Sequence, residues 1–168
     1  MALKIENKPW WSYLPGDLQE SLKLSLLLSE KSANWSERFH DYSFIVFPAA
    51  KAYEGFLKKL FLDLKFITEG DYRGKHFRIG KALNPHLEKR FRKDDDWVYE
   101  KLISYCNNKP DLPDKLWDTW KQARNLTFHW FPDNSNIISH NEATERLLMI
   151  IDSIDSVFTA CRVDLSND

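Results

Sequence analysis

Apolar residues spaced for helices constrain the fold of this 168-residue chain more than any other feature. Near the C-terminus, apolar residues recur at intervals of three and four: Leu147, Ile150, Ile151, Ile154 and Phe158. This spacing places them on one face of a helix, which we expect over residues 141–162. Residues 42–66 are apolar nearly all round, which is typical of a helix buried at the centre of a domain. Asp41 is placed to cap that helix.

Start and stop signals divide the rest of the chain into further helices. Pro15 and Gly16 precede a helix expected to end near residue 32, and the acidic run 94–96 precedes another that ends near residue 106. A linker over 107–114 then leads into a helix over 114–128. No segment shows convincing strand alternation. We therefore predict an all-α fold, a bundle of four or five main helices.

The length fits a single domain over residues 1–168. Within it we expect an irregular lead-in over 1–14 and a basic insertion over 70–93. Trp10, Trp11 and Tyr13 are the expected packing anchors of the lead-in. A content of 43% hydrophobic residues supplies enough apolar side chains for a substantial core.

The basic insertion has a charge unlike that of the whole chain. Between residues 73 and 93, eight lysines and arginines face one glutamate, a net +7, while the chain as a whole carries −1. Such a lobe attracts polyanions, and aromatic residues between the cations suit stacking on unpaired bases. A solvated, charge-rich connection is an equally good interpretation. The candidate RNA-binding residues are Arg73, Lys75, Arg78, Lys81, Arg90 and Arg92.

The sequence favours a cytoplasmic protein without a membrane segment. The N-terminus has no apolar core of signal-peptide length, and lysines and a glutamate soon follow the most apolar window, 44–50. Cys106 and Cys161 form no C-x-x-C motif and are expected to be reduced, packed thiols. The five histidines show no metal-ligand spacing, so we expect no metal site.

Arg124, Asn125 and His129 form the main candidate for chemistry. Arginine can bind a phosphate through two N–H donors, and histidine exchanges a proton near neutral pH. On an ideal helix Asn125 and His129 share an outward face, but Arg124 and His129 lie roughly 140° apart. A shared site therefore requires either that the last turn unwinds or that a second copy contributes its own residues. The structural alternative is that all three are ordinary polar residues at a helix end.

The pattern Arg124-Asn125 followed by His129, at the end of the penultimate helix, resembles the motif of the HEPN superfamily. The stretch from Phe47 to Leu60 is similar to the HEPN helix that carries an acidic residue, here Glu54. The similarity is greatest to the C-terminal HEPN domain of RNase LS-type bacterial toxins, and it covers about residues 15–162.

The resemblance implies an all-α, HEPN-like up-and-down bundle of four main helices plus short extra helices. It also implies a homodimeric, metal-independent endoribonuclease without a cofactor, often a toxin or antiviral defence effector restrained by an antitoxin or other regulatory protein. It implies that Arg124 and His129 are catalytic, with Asn125 supporting them. Glu54 would then hold Arg124, fix the histidine tautomer or form a buried ion pair. RNA would be the substrate. Two alternatives remain open: a non-catalytic HEPN module for RNA binding, protein interaction or dimerisation, and an antitoxin or immunity partner.

Overall fold

The computed structural model of the protein describes residues 4–92, 97–130, 132 and 136–160. These residues form seven α-helices and no strand, which confirms the all-α prediction. The helices are α1 (Gly16–Ser32), α2 (Ser43–Asp63), α3 (Glu69–Arg73), α4 (Ile79–Ala82), α5 (Val98–Tyr105), α6 (Asp111–Thr119) and α7 (His140–Ala160). Short 3₁₀ turns lie at Ile5–Asn7, Trp11–Tyr13, Lys89–Phe91 and Leu126–Phe128, and a π-helical segment spans Trp120–Asn125.

Helix α2 forms the centre of the bundle, as a sequence that is apolar nearly all round predicts. Its buried side chains face several neighbours at once. The Tyr53 hydroxyl is fully enclosed, 3.1 Å from the carbonyl oxygen of Leu116 in α6 and 2.9 Å from Ser153 Oγ in α7. One side chain therefore joins three helices. The buried residues of α2 are Ile45, Val46, Ala49, Ala50, Ala52, Tyr53, Phe56, Leu57, Leu60 and Phe61.

Pairs of contacting residues give the relative directions of the main helices. In α1 and α2, Ser25 contacts Ala49 while the earlier Leu18 lies against the later Gly55, so these helices are antiparallel. Between α2 and α7, Tyr53 contacts Ser153 and Phe56 contacts Phe158, so these two run in the same direction.

The direction of α6, the helix that follows the linker, is given by its contacts with α7. Lys115 of α6 bonds Ser156 of α7, whereas Thr127, twelve residues later, accepts a hydrogen bond from Arg146. This chain segment is therefore antiparallel to α7. The four long elements thus alternate in direction, as the predicted up-and-down bundle requires.

The N-terminal lead-in is more ordered than predicted over the part that is described. Two 3₁₀ turns replace the expected irregular chain, and Ile5 and Trp10 are fully buried in the core. Trp10 Nε1 donates to Asp155 Oδ1 at 2.9 Å, and Lys8 Nζ lies 2.8 Å from Asp155 Oδ2. These two contacts attach the lead-in to α7.

Helix boundaries differ from the predictions where local backbone geometry intervenes. Helix α2 ends at Asp63 rather than near residue 66, shortly before Lys65, which has a φ of 59°. Helix α6 begins at Asp111, three residues early, because Pro113 fits the first helical turn, where a missing N–H has no cost. The acidic start signal at 94–96 and the end of the last helix beyond residue 160 lie outside the described residues.

Cys106 is buried and disulfide-bonded, so the prediction of a reduced thiol is wrong at this position. Cys161 lies outside the described residues. Disulfides are rare in cytosolic proteins, and a cytoplasmic location stays a prediction. No helix in the described part of the chain is long and apolar enough to cross a membrane.

Candidate active site

The chain that carries Arg124 and His129 changes helix type twice. Regular α-helix ends at Thr119, the wider π-helical turns of Trp120–Asn125 follow, and Leu126–Phe128 forms a 3₁₀ turn. His129 then has extended backbone, with φ −104° and ψ 130°. A π-helical insertion shifts the faces on which later side chains lie, and such insertions are frequent at functional sites.

This change of helix type brings Arg124 and His129 to one cavity of about 260 Å³. Of the two arrangements that the sequence left open, the unwinding of the last turn therefore occurs within a single chain. Glu54 lines the same cavity from α2, so three of the four predicted catalytic residues meet there. The complete lining is Phe47, Ala50, Lys51, Glu54, Arg124, Phe128 and His129.

One stripe of α2 forms the opposite wall of the cavity. Phe47, Lys51 and Glu54 follow one another at helical intervals of four and three, which places them on one face. The rings of Phe47 and Phe128, which both line the cavity, meet edge to face at 5.4 Å. The sequence reasoning did not select Lys51 or Phe47, although their spacing from Glu54 would have indicated both.

Arg124 is held loosely by its neighbours. Its Nη2 lies 3.5 Å from Glu54 Oε2, beyond the usual range for a strong hydrogen bond, and the two side chains are 37% and 38% exposed. The guanidinium lies 4.9 Å from the centre of the Trp120 ring. The pair with Glu54 is therefore not a buried ion pair. Exchanging this contact for a phosphate costs little, because exposed ion pairs contribute at most about 1 kcal/mol.

His129 is oriented by the amide of Asn125. Asn125 Oδ1 lies 3.0 Å from His129 Nε2, and this contact spans the 3₁₀ turn between the two residues. With the amide oxygen accepting, Nε2 carries the proton and Nδ1 is the proton acceptor of the neutral ring. Asn125 itself does not line the cavity, so its position suits support rather than direct contact with a ligand. Asn136 Nδ2 also donates to the His129 carbonyl oxygen at 2.9 Å.

A buried threonine anchors the same segment to the bundle. Thr127 Oγ1 donates to the Gln122 carbonyl oxygen at 2.8 Å and accepts from Arg146 Nη1 of α7 at 2.7 Å. A wide helical turn leaves backbone carbonyls without their usual partners, and the first of these bonds satisfies one of them. The irregular turn is thus fixed from two sides.

The predicted basic residues are spread over a surface, and several have local partners. Arg73 pairs with Glu69 at 2.6 Å, and Arg90 pairs with Glu88 at 2.8 Å. Lys75 is exposed. Of the remaining predicted RNA-binding residues, Arg78 and Lys81 line a small cavity of about 120 Å³ together with Asp71 and His76. The guanidinium of Arg92 lies 4.0 Å from the centre of the Trp97 ring.

Helix α4 connects this basic surface to the candidate active site. A Cβ at Gly80 would lie 2.8 Å from Trp120 Nε1, so glycine permits the close approach of α4 to the π-helical segment. Trp120 in turn supports Arg124 through its ring. Lys81, the next residue after Gly80, therefore belongs to a helix packed directly behind the site.

Within the described ranges, no group of three or more histidine, cysteine or acidic side chains is arranged to hold a metal ion. No protein-family model, curated protein or solved structure matches the chain.

Proposed function

We propose that this protein is a metal-independent endoribonuclease of the HEPN type, which cleaves RNA through attack by the 2′-hydroxyl group. The observation that carries the proposal is the single cavity lined by Arg124, His129 and Glu54. The RNA strand supplies its own nucleophile. The protein must then only bind the phosphate and transfer protons, for which an arginine and a histidine suffice.

In the proposed reaction, the 2′-oxygen forms a bond to phosphorus as the bond from phosphorus to the 5′-oxygen breaks. His129 takes the proton of the 2′-hydroxyl or supplies one to the departing 5′-oxygen, a role that contributes typically about 10²–10⁴-fold. Arg124 leaves its 3.5 Å contact with Glu54 and binds the phosphate oxygens, where negative charge increases in the transition state. The products are a 2′,3′-cyclic phosphate and a free 5′-hydroxyl.

The other site residues have positioning roles in this proposal. Asn125 holds the His129 ring in one tautomer through the 3.0 Å contact. Glu54 holds Arg124 beside the cavity until RNA binds. Lys51 adds a second cation to the cavity wall, which favours an anionic ligand there. The basic residues of α4 and its surroundings would bind the RNA backbone away from the cut.

The proposal includes a homodimer and a role as a toxin or antiviral effector that an antitoxin or another regulatory protein restrains. Exposed aromatic side chains beside the cavity support an interaction surface: Phe47 is 52% exposed and Trp130 is 76% exposed. A second copy bound at this surface would bring a second His129 near the first. One histidine would then serve as base and the other as acid.

The test is cleavage of a mixed single-stranded and structured RNA pool by purified protein in EDTA. The variants are His129→Ala and Arg124→Ala, with His86→Ala and Lys121→Ala as matched controls, since His86 and Lys121 are exposed and outside the cavity. We expect cyclic-phosphate ends from the wild type and both controls, and at least a 100-fold lower rate from the two site variants. Equal cleavage by His129→Ala, or cleavage of strands without 2′-hydroxyl groups, would refute the mechanism.

The exposed aromatic residues also fit a second function, a non-catalytic module that binds RNA or a protein partner. Phe47 and Trp130 would then be the centre of the partner surface, as aromatic residues often are. Such a module would form its complexes unchanged in His129→Ala and lose them in Phe47→Ala. Folded wild-type protein that binds RNA but never cuts it would favour this function.

A further inference from the structure

A second cavity, of about 300 Å³, adjoins the first. Phe128 and His129 line both, so these two residues form the wall between them. A ligand that places a phosphate beside Arg124 and His129 would therefore have its next chemical group within reach of the second cavity. The lining of the second cavity is Asp41, Ser43, Thr127, Phe128, His129, Trp130, Asn136 and Ile137.

The second cavity offers hydrogen-bonding groups that are fixed in place. Asp41 Oδ1 accepts from the backbone N–H groups of Ser43 at 3.0 Å and Ile138 at 3.3 Å, and Oδ2 accepts from Ser43 Oγ at 2.8 Å. A carboxylate has roughly four acceptor positions, so Asp41 can accept another hydrogen bond. The amide of Asn136 donates once to the His129 carbonyl oxygen and has further donor and acceptor capacity.

Aromatic rings complete the cavity. Trp130 lines it while 76% of its surface is exposed, and Phe128 is held by its edge-to-face contact with Phe47. An exposed indole beside fixed polar groups matches the way proteins bind unpaired bases, which stack on aromatic rings and form hydrogen bonds along one edge. A base in a duplex is stacked and paired, so only an unpaired one can enter.

We propose that this second cavity binds the base of the nucleotide next to the cleaved phosphate, with Trp130 as the stacking surface and Asp41 as the residue that reads the base edge. The inference rests on the proposed function, because it takes RNA to be the ligand of the first cavity. It adds that the substrate is single-stranded at the cut and that one flanking position has a base preference.

The chemistry of Asp41 defines that preference. Adenine, cytosine and guanine carry an exocyclic amino group that can donate to a carboxylate. Uracil has no amino group, and carbonyl oxygens flank its ring N–H, so its edge is repelled by the Asp41 carboxylate. The cavity therefore discriminates against uracil.

The test measures binding, which does not depend on turnover. The ligands are fluorescently labelled trinucleotides with 2′-fluoro sugars, which lack the attacking hydroxyl. The reference ligand has uracil at all three positions. In the other ligands one of the three positions carries either adenine or no base, and each position is varied in turn. We expect that, at one position, adenine binds about 5- to 100-fold more tightly than the abasic sugar, as base stacking on an aromatic ring predicts. This ratio should fall to near one in Trp130→Ala.

Trp35→Ala is the matched control, since Trp35 is also partly exposed but does not line the cavity. It should preserve the ratio. In Asp41→Asn, which keeps an acceptor for the backbone N–H groups, the advantage of adenine over uracil should shrink while stacking persists. An adenine-to-abasic ratio near one in the wild type, or a ratio unchanged in Trp130→Ala, would overturn the proposal.

Cleavage of an all-ribose RNA by the same preparations separates the two hypotheses. Base-dependent binding without cleavage would support the base cavity and count against the nuclease. Cleavage without base-dependent binding would support the nuclease and overturn the base cavity.

Discussion

The side-chain oxygen of Asn125 lies 3.0 Å from Nε2 of His129, across a turn that is no longer α-helical. This contact fixes the ring of the proposed catalytic histidine without occupying the cavity. We expect Asn125→Ala to lower the rate of RNA cleavage about 10–100-fold, because a misplaced proton-transfer group loses much of its effect. RNA affinity should change little. Single-turnover rates at several pH values measure the effect.

Gln122→Ala is the control for that experiment, since Gln122 is exposed in the same segment and contributes only its backbone carbonyl oxygen to the contact with Thr127. It should cleave like the wild type. If Asn125→Ala and Gln122→Ala were equally active, Asn125 would have no positioning role.

The basic surface of α4 should contribute to RNA binding in a salt-dependent way. In Arg78→Glu with Lys81→Glu, we expect weaker binding at low salt and a shallower dependence of affinity on salt concentration, because fewer cations are released from RNA. The residues are surface-exposed or half-buried, so thermal stability should be retained. Filter binding at several salt concentrations measures both quantities. Unchanged affinity would leave the basic segment as a solvated connection.

The hydroxyl of Tyr53 should matter for stability and not for catalysis. It joins Leu116 and Ser153 inside the core, and burial raises the pKa of Tyr53, so the side chain stays neutral. Tyr53→Phe leaves the buried Ser153 hydroxyl without this partner. We expect a loss of about 1–3 kcal/mol in the free energy of unfolding. Urea unfolding measures it, and a loss below the experimental error would show that the core repacks.

Asp155 should make stability depend on acid pH. Burial acts to raise its pKa, but the hydrogen bonds from Lys8 and Trp10 outweigh this, so the pKa of Asp155 lies below its ordinary value of 3.8. A carboxylate whose pKa is lower in the folded than in the unfolded state stabilises the fold at pH values above its unfolded pKa. This stabilisation is lost as the pH falls through the folded pKa. Asp155→Asn should therefore be less stable by about 1 kcal/mol at pH 7.

The difference between Asp155→Asn and the wild type should shrink below about pH 4. Thermal unfolding between pH 3 and pH 7 tests this. Asp152→Asn is the control, because the Asp152 carboxylate is 68% exposed, although it contacts Lys115. A constant difference between Asp155→Asn and the wild type at every pH would exclude the carboxylate charge as the cause.

The sequence alone was sufficient to predict the five longer helices and their order, but not the short helix α3 or the π-helical segment. Helical periodicity and turn residues are local signals, so α1 was predicted almost to the residue. The central burial of α2 followed from a sequence that is apolar nearly all round. The ends of helices were predicted less well where the backbone angle of a single residue stops the helix. At Lys65, near the end of α2, the positive φ does not follow from the hydrophobic pattern.

The candidate active site shows most clearly which features follow from the sequence and which depend on the tertiary structure. Arg124 and His129 could be selected from the sequence as residue types, but ideal helical geometry places them on different faces. Only the tertiary structure decided that they share a cavity with Glu54, because the chain leaves the regular α-helix after Thr119 and Thr127 is held between Gln122 and Arg146. The second cavity joins residues 41 and 43 with residues 127–130, 136 and 137, which no sequence interval relates. The sequence gives the chemical type of each side chain directly, whereas the distances between side chains depend on the packing of the whole chain.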